Sequence, residues 1–140
     1  MAIIKKIGYK IDPLDLNTRK ALGVKVPFNK KGIFDFNYTT KDQIKSNLIN
    51  LLLTSPGERF HEPTYGVGIR DYIFEQNTDD FNSKIANLKQ LISRKLGTHI
   101  PQIKLANLAV SPVPNSNNLI INIKYTILLD NDTNQISLQL

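Results

Sequence analysis

The stretch from residue 55 to residue 75 constrains the fold most, because it concentrates residues that interrupt regular structure. It reads SPGERFHEPTYGVGIRDYIFE, with two prolines and three glycines. Proline fixes φ and removes a backbone donor, and glycine tolerates positive φ, so the first part of this stretch cannot form a long helix or strand. We therefore predict a shaped loop that holds one backbone path and presents it to a partner.

The segments on either side of the loop have the spacing of amphipathic helices. Apolar residues recur every three or four positions, which predicts one helix over about 41–53 and a second that starts from a cap and first-turn acids within 77–80 and runs to about Leu96. Thr40 and Gln43 have the form of a capping box, and Gly97 is expected to stop the second helix. A short helical turn is predicted at 70–75. The inward positions of the two long helices are Ile44, Leu48, Leu51, Leu52, Phe81, Ile85, Leu88, Ile92 and Leu96.

The remainder of the chain has the pattern of β-strands. Residues 103–113 form one strand with a bulge near Asn107, residues 119–129 alternate over a second, and Thr133 to Leu140 forms a third. The short turns between them favour an antiparallel order. We predict an α+β fold: a C-terminal three-stranded antiparallel meander packed against two amphipathic helices, with an N-terminal extended arm.

The arm is the basic part of the chain. Residues 1–32 hold eight basic and two acidic residues, so all of the formal net charge of +6 lies there, and the rest is balanced. Glycine and proline interrupt the arm every few residues. We predict a basic extended arm over 1–32 that docks on an acidic neighbour, and a single α+β domain over 33–140 that begins with a short strand at 33–38. Binding of nucleic acid is an alternative use of the arm, although it carries no recognition motif.

Several kinds of site are excluded or unsupported by the residues present. The chain has no cysteine, and His61-Glu62 lacks the second histidine of a zinc helix, which Pro63 would interrupt. Gly66 and Gly68 match no phosphate-binding fingerprint. We therefore predict no metal, cofactor or small-molecule substrate. The first residues lack a signal-peptide pattern and no run approaches a membrane span, so we expect a soluble protein without a membrane partner.

Four carboxylates in or beside the loop raise the alternative of a glycoside hydrolase. Glycoside hydrolysis needs one carboxyl with a raised pKa and a second placed across the scissile bond, and spacing alone indicates neither. The other interpretation is that Glu58 and Arg59, or Glu62 and Arg70, are charges that hold the loop. We predict no catalytic residue and no enzymatic activity. The four carboxylates are Glu58, Glu62, Asp71 and Glu75.

The order of these motifs resembles a known family. A helix ending in NLLLT, then SPGERF, a Pro-x-Tyr-Gly turn and DYIFE are similar to the baseplate wedge and sheath-initiator family of contractile tails. That family includes a wedge protein of T-even phages, phage tail protein W and a component of type VI secretion baseplates, historically called lysozyme-like. The resemblance covers roughly residues 33–140.

The resemblance implies a structural role in a virion. Members of the family sit on the helical core of a baseplate wedge, offer strands that start the sheath, and are assembled in the host cytoplasm. The implied partners are other wedge proteins and the tail sheath protein. The family also carries a Glu-Pro-Arg tripeptide after the second long helix, and this chain matches it only at Pro101, so its ionic contacts are not carried over.

The resemblance and the loop together give two sets of candidate residues. We expect Phe60 and Tyr65 to be partly buried and Arg59 to be presented. Residues 133–140 should form the edge strand for the sheath, unless the strand at 33–38 or the arm flanks it. Candidates for binding the wedge core are Glu58, Arg59, Phe60, Pro63, Tyr65, Pro101 and Gln102. Candidates for the sheath edge are Gln135, Ile136, Ser137, Leu138 and Gln139.

Overall fold

A computed structural model describes residues 13–16, 19–26, 35–75 and 80–140 of the chain. Predictions that concern residues 1–12, 17–18, 27–34 and 76–79 lie outside this part. The elements in chain order are a turn of 3-10 helix (Pro13–Leu16), β1 (Gly23–Val24), β2 (Phe36–Asn37), α1 (Thr40–Leu53), α2 (Ile69–Phe74), α3 (Phe81–His99), β3 (Ile103–Pro112), β4 (Leu119–Ile127) and β5 (Asp132–Gln139).

Helix α1 begins one residue earlier than its capping box predicted. Thr39 is the N-cap, in an extended conformation, and its hydroxyl accepts a hydrogen bond from the Asp42 amide at 3.2 Å. The predicted box is wrong because the Gln43 side chain is engaged elsewhere, accepting from Asn37 Nδ2 at 3.0 Å. The helix ends where expected, with the Thr54 amide bonded to the Asn50 carbonyl.

Helix α3 runs past the glycine that was expected to stop it. Gly97 lies inside the helix, which continues to His99 and ends at Ile100, with φ −134° and ψ 71°. Proline disfavours the helical region for the residue before it, so Pro101 ends the helix and Gly97 does not. The first predicted core position is also wrong. Phe81 is 49% exposed because it opens the helix, one turn ahead of the half-buried Ile85.

The C-terminal sheet has the antiparallel order β3-β4-β5. The predicted bulge is confirmed, since the register of β3 against β4 shifts between Leu105 and Asn107. The second strand was predicted to reach residue 129 but ends at Ile127. The next residues turn back toward β5, with Asn131 at a φ of 54°, and Leu128 and Leu129 are left 44% and 42% exposed.

One face of the sheet and the helices enclose a single apolar cluster. It combines the inward faces of α1 and α3 with alternate residues of the strands, and Ile69 and Val67 join it from the loop region. The opposite face of the sheet is mostly polar, although it also holds Ile120 and Ala109. The predicted α+β fold, with the meander packed against two amphipathic helices, is confirmed. The fully buried large side chains are Leu48, Leu51, Leu52, Ile69, Leu88, Ile92, Leu96, Ile121 and Ile123.

The described parts of the N-terminal arm pack against α1. Strand β1 pairs with β2, and the buried Asn37 of β2 donates to Ser46 Oγ of α1 at 2.9 Å. The Asp15 carboxylate accepts from the amide and hydroxyl of Thr40 at 2.6 and 2.8 Å, so it supports the start of the helix. Here the chain forms a helical turn at 13–16 rather than an extended arm.

Candidate partner-binding surfaces

The loop between α1 and α2 is fastened to the end of α1 by backbone hydrogen bonds. The Val67 amide donates to the Leu51 carbonyl at 2.9 Å, and the Gly68 amide donates to the Thr54 carbonyl at 2.8 Å. Within the loop, the Gly57 amide donates to the Pro63 carbonyl at 2.7 Å. These bonds hold a single backbone path, as the glycine and proline content predicted.

The loop presents Phe60 and buries Tyr65. Phe60 is 92% exposed, so the prediction that it is partly buried is wrong, whereas Tyr65 is 8% exposed. Tyr65 packs edge-on against His99 of α3, with ring centroids 4.9 Å apart, and burial raises the pKa of its hydroxyl. The difference arises because Tyr65 follows the turn at Pro63 and Thr64 and faces α3, while Phe60 lies at the outer end of the loop.

Arg59 is held in place by its neighbours. Its guanidinium lies 3.7 Å from the centroid of the Tyr65 ring, and its Nη1 is 3.4 Å from a carboxylate oxygen of Glu62. The side chain remains 39% exposed. A cation over an aromatic face is favourable and restricts the side chain. Arg59 is therefore presented, as predicted, in a position fixed by the loop.

Three of the four candidate carboxylates hold the loop together. Glu58 accepts from the Ser55 amide at 2.9 Å, Glu62 pairs with Arg59, and Asp71 accepts from the Ser55 hydroxyl. Asp71 and the fourth carboxylate, Glu75, line an open depression beside α2. The ion pair is Arg59 with Glu62, rather than either pair proposed from the sequence.

A second surface is an apolar groove of about 410 Å³ between the start of α1 and the turn after β4. Pro101 and Gln102 lie along one side, and the Gln102 carbonyl accepts from the Leu128 amide at 2.9 Å. Leu128 and Leu129, both half-exposed, are among its apolar lining residues. The lining residues are Asp15, Thr40, Lys41, Ile44, Pro101, Gln102, Ile127, Leu128, Leu129 and Asp130.

An ion cluster holds one end of the groove in place. Lys41 Nζ lies 2.9 Å from Asp130 and 2.8 Å from Asp132, and the Asp130 side chain is only 4% exposed. The hydrogen bond donated by Lys41 lowers the pKa of Asp130, and the bonds that Lys41 donates to Asp132 and Asp130 raise its own pKa. The cluster therefore joins the first turn of α1 to the turn between β4 and β5.

The candidate residues for the wedge core fall on two surfaces. None of the residues that line the groove comes from the loop, although Tyr65 and His99 bring the loop close to the end of α3. Sequence reasoning missed Lys41, Leu128 and Leu129 as lining residues. The two leucines could have been found from the sequence, because they are consecutive at the end of an alternating strand. Only one of two neighbouring residues can face the core of a sheet, so the other must be exposed.

The third surface is the outer edge of β5. Ile136 is buried on the core face, while Gln135, Ser137 and Gln139 are exposed. In the part of the chain that the structure describes, β5 pairs only with β4, and β2 pairs with β1 instead of flanking β5. The alternation predicted for this strand is therefore found.

Among the residues that the structure describes, no group of three or more histidine, aspartate or glutamate side chains could hold a metal ion. No helix within 13–16, 19–26, 35–75 or 80–140 is both long and apolar enough to cross a membrane.

Comparison with solved structures finds proteins of similar fold. A Geobacter sulfurreducens protein provisionally described as a tail lysozyme is 24% identical and has a TM-score of 0.59, over 73% of this chain and 90% of its own. A chain of the anti-feeding prophage baseplate is also 24% identical, with a TM-score of 0.56 over 72% of this chain and 78% of its own. At these identities the likeness establishes the fold.

Comparison with curated proteins found no match to this sequence. A family model described as baseplate wedge protein gp25, in contrast, matches residues 39–132, which include α1, the loop, α2, α3 and the sheet up to the start of β5. This range holds the NLLLT, SPGERF, Pro-x-Tyr-Gly and DYIFE motifs on which the resemblance rested. The chain belongs to the gp25 family of baseplate wedge proteins and is a contractile-tail baseplate protein.

Proposed function

We propose that this protein is a non-enzymatic assembly component that docks on the core of a baseplate wedge and templates polymerisation of the tail sheath. The observation that carries the proposal is the outer edge of β5. A strand added to such an edge gains main-chain hydrogen bonds with little dependence on side-chain identity, which suits the first contact of a polymer.

The hydrogen-bond pattern identifies which groups of β5 face outward. Leu119 and Leu140 exchange both of their backbone bonds, at 3.1 and 2.8 Å, and the register continues without a shift to Ile127 opposite Asp132. Since bonded pairs alternate in an antiparallel ladder, the even-numbered residues of β5 bond to β4. The amides and carbonyls of Thr133, Gln135, Ser137 and Gln139 therefore point to the open edge.

The experiment is a proline substitution on this edge with a matched control. In Ser137→Pro the lost amide points away from β4, so the ladder to β4 keeps its donors and we expect a folded protein that enters the wedge. Sheath should no longer polymerise from it. Ser137→Ala loses the same hydroxyl contact with Asn122 but keeps the amide, and should assemble sheath normally. Normal sheath on a folded Ser137→Pro protein would reject templating at this edge.

Docking on the wedge core is proposed for the apolar groove and for Phe60. Leu128 and Leu129 are 44% and 42% exposed, so changing both to Ser should leave the fold intact while weakening entry into the wedge. Leu53→Ser is the control variant, because Leu53 is similarly exposed, at 46%, and does not line the groove. Equal assembly by both variants would argue against the groove as the docking surface.

The absence of catalysis is part of the proposal. The hydrolase alternative was raised by the four carboxylates of the loop, and the Geobacter sulfurreducens protein of similar fold is provisionally described as a tail lysozyme. A muralytic assay separates the two. We expect no turnover by the purified protein, and activity that disappears in Glu58→Gln, Glu62→Gln or Asp71→Asn would refute the structural role. Tight DNA binding that falls steeply with salt would instead favour the nucleic-acid alternative.

The proposed partners are other wedge proteins and the tail sheath protein, and the proposed place of assembly is the host cytoplasm. Particles purified from a producing host should contain the protein in the baseplate, in a stoichiometric amount. Its recovery from cleared lysate as a free protein only, with none in particles, would contradict this placement.

A further inference from the structure

We propose that the sheet accepts an added strand at one edge only, the β5 edge, because the β3 edge is closed by residues of its own strand. We further infer that the added strand alternates apolar residues with carboxylates. Both statements rest on the proposed templating function and specify its partner.

The alternation of hydrogen-bonded pairs also shows which backbone groups of β3 point to its outer edge. The odd-numbered residues of β4 bond to β5, so its even-numbered residues bond to β3. Asn107 lies opposite Lys124 and therefore bonds to β4, whereas Leu108, Val110 and Pro112 lie opposite odd-numbered residues. The backbone groups of these three residues point to the outer edge of β3.

Two of those three outward positions offer no free donor. The Leu108 amide donates to the Oδ1 atom of Asn107, its own neighbour, at 2.9 Å. Pro112 has no amide hydrogen. The bulge between Leu105 and Asn107 also breaks the spacing that an incoming strand would need. Bulges and prolines are common means of closing the edge of a sheet, and β3 carries both.

The β5 edge carries none of these features. Its pairing with β4 has no register shift over eight residue pairs, and no residue of the strand is a proline. Four successive outward positions, Thr133, Gln135, Ser137 and Gln139, keep their amides. Before the bulge, Leu105 also lies opposite an odd-numbered residue of β4, so its amide points to the outer edge as well. An incoming strand therefore meets four regularly spaced donors on β5, but on β3 the separated donors of Leu105 and Val110, one on each side of the bulge.

The side chains around the β5 edge indicate the composition of the added strand. On the core face, Leu138 and Leu140 are only half-buried, so apolar residues of an added strand would extend the core over them. On the face of the sheet that points away from the core, the side chains of β3, β4 and β5 include Lys104 and Lys124 and no carboxylate. Lys124 lies two strand spacings, about 10 Å, from an added strand, which is within reach of a screened attraction.

The edge choice is tested with one proline on each edge. Ser137→Pro and Val110→Pro each remove an outward amide and leave the ladder to β4 intact. Once both are confirmed as folded by thermal unfolding, sheath polymerisation is measured on wedges that contain each variant. We expect sheath on Val110→Pro wedges and none on Ser137→Pro wedges.

The other outcomes separate the two proposals. Sheath on Ser137→Pro but not on Val110→Pro would overturn the edge choice and leave templating in place, and failure of both would mean that both edges are used. Sheath on both would reject templating by this sheet altogether. Hydrogen exchange of the wild-type protein gives a second test without variants. The Leu108 amide should be protected and the four outward amides of β5 should exchange quickly, and the reverse pattern would overturn the edge choice.

The strand composition is tested with two synthetic eight-residue peptides, one alternating Val with Glu and one alternating Val with Lys. The Val-Glu peptide should protect the outward amides of β5 and bind more tightly, with a preference that shrinks at high salt. Lys124→Gln should weaken it by up to about five-fold, the range of exposed ion pairs, and Lys89→Gln on α3 should not. Equal binding of both peptides would overturn the acidic composition while leaving the edge choice standing.

Discussion

Replacing Gly66 with alanine should show whether this position requires glycine because of a close backbone contact or only because of its positive φ. Gly66 has a φ of +103°, and a Cβ built there would lie 2.2 Å from the Thr54 carbonyl oxygen, which is backbone at the end of α1. Gly57 lies in the same loop with a φ of +87°, but a Cβ there would meet nothing within 4 Å. Gly57→Ala is therefore the matched control for Gly66→Ala.

The two alanine variants differ in the magnitude expected. Gly57→Ala introduces only the strain of a positive φ, about 1–2 kcal/mol. Gly66→Ala adds an overlap with backbone that only a movement of the loop can relieve, costing about 1–3 kcal/mol more. That movement also threatens the bond from the Gly68 amide to the same Thr54 oxygen. With about 1 kcal/mol for the loss of that bond, we expect a total of about 3–6 kcal/mol for Gly66→Ala.

Thermal and urea unfolding of the two purified variants measure the difference. For a chain of this size, about 1 kcal/mol corresponds to roughly 3–4 °C in Tm, so Gly66→Ala should lower Tm by about 10 °C or more and Gly57→Ala by less than about 7 °C. Equal losses in the two variants, or a Gly66→Ala protein within 1 kcal/mol of wild type, would refute the close approach of residue 66 to the end of α1.

Two further predictions follow from the loop and the ion cluster. Phe60→Ala should leave Tm within about 2 °C of wild type, because the side chain is exposed. Tyr65→Ala should lower the free energy of unfolding by about 3–5 kcal/mol, because that side chain is buried. A large loss of stability in Phe60→Ala, measured by thermal unfolding, would contradict its exposed position. Folding lowers the pKa of Asp130 below its ordinary value of 3.8. The carboxylate therefore stabilises the folded protein at pH values above 3.8, and this stabilisation is lost as the pH falls through the lower pKa of the folded state. Lys41→Met should therefore reduce the difference in unfolding free energy between pH 7 and pH 3, and an unchanged difference in urea titrations would contradict it.

Sequence patterns predicted the elements well where local geometry determines the outcome. The helical spacing of α1 and α3, the bulge before Asn107 and the alternation of β4 and β5 were all found. Residues that repeat with the period of a helix or strand can bury only one face, and this rule needs no knowledge of neighbouring elements. The glycine and proline content of the loop likewise indicated a shaped connection.

Predictions of helix ends were wrong where two nearby residues gave competing local signals. Gly97 suggested a helix end at Leu96, yet the helix continues for three more residues to His99, and Pro101 ends it. Thr39 and Thr40 are both able to cap α1, and the choice depended on the side chain of Gln43, which bonds Asn37 of β2. Since that contact joins residues of different elements, the capping residue could not be chosen from the helix sequence alone.

By itself, then, the sequence determined which residues form helices and strands, which face of each is apolar, and that the loop backbone is shaped, because these depend on periodicity and on the conformational limits of glycine and proline. Only the tertiary structure decided that Tyr65 packs on His99 while Phe60 is exposed, and that Pro101 and Gln102 share a groove with Leu128. Among the residues that the structure describes, it also decided that β5 pairs with β4 without a register shift while β3 carries a bulge. These outcomes depend on contacts between residues distant in the chain, which no local pattern specifies.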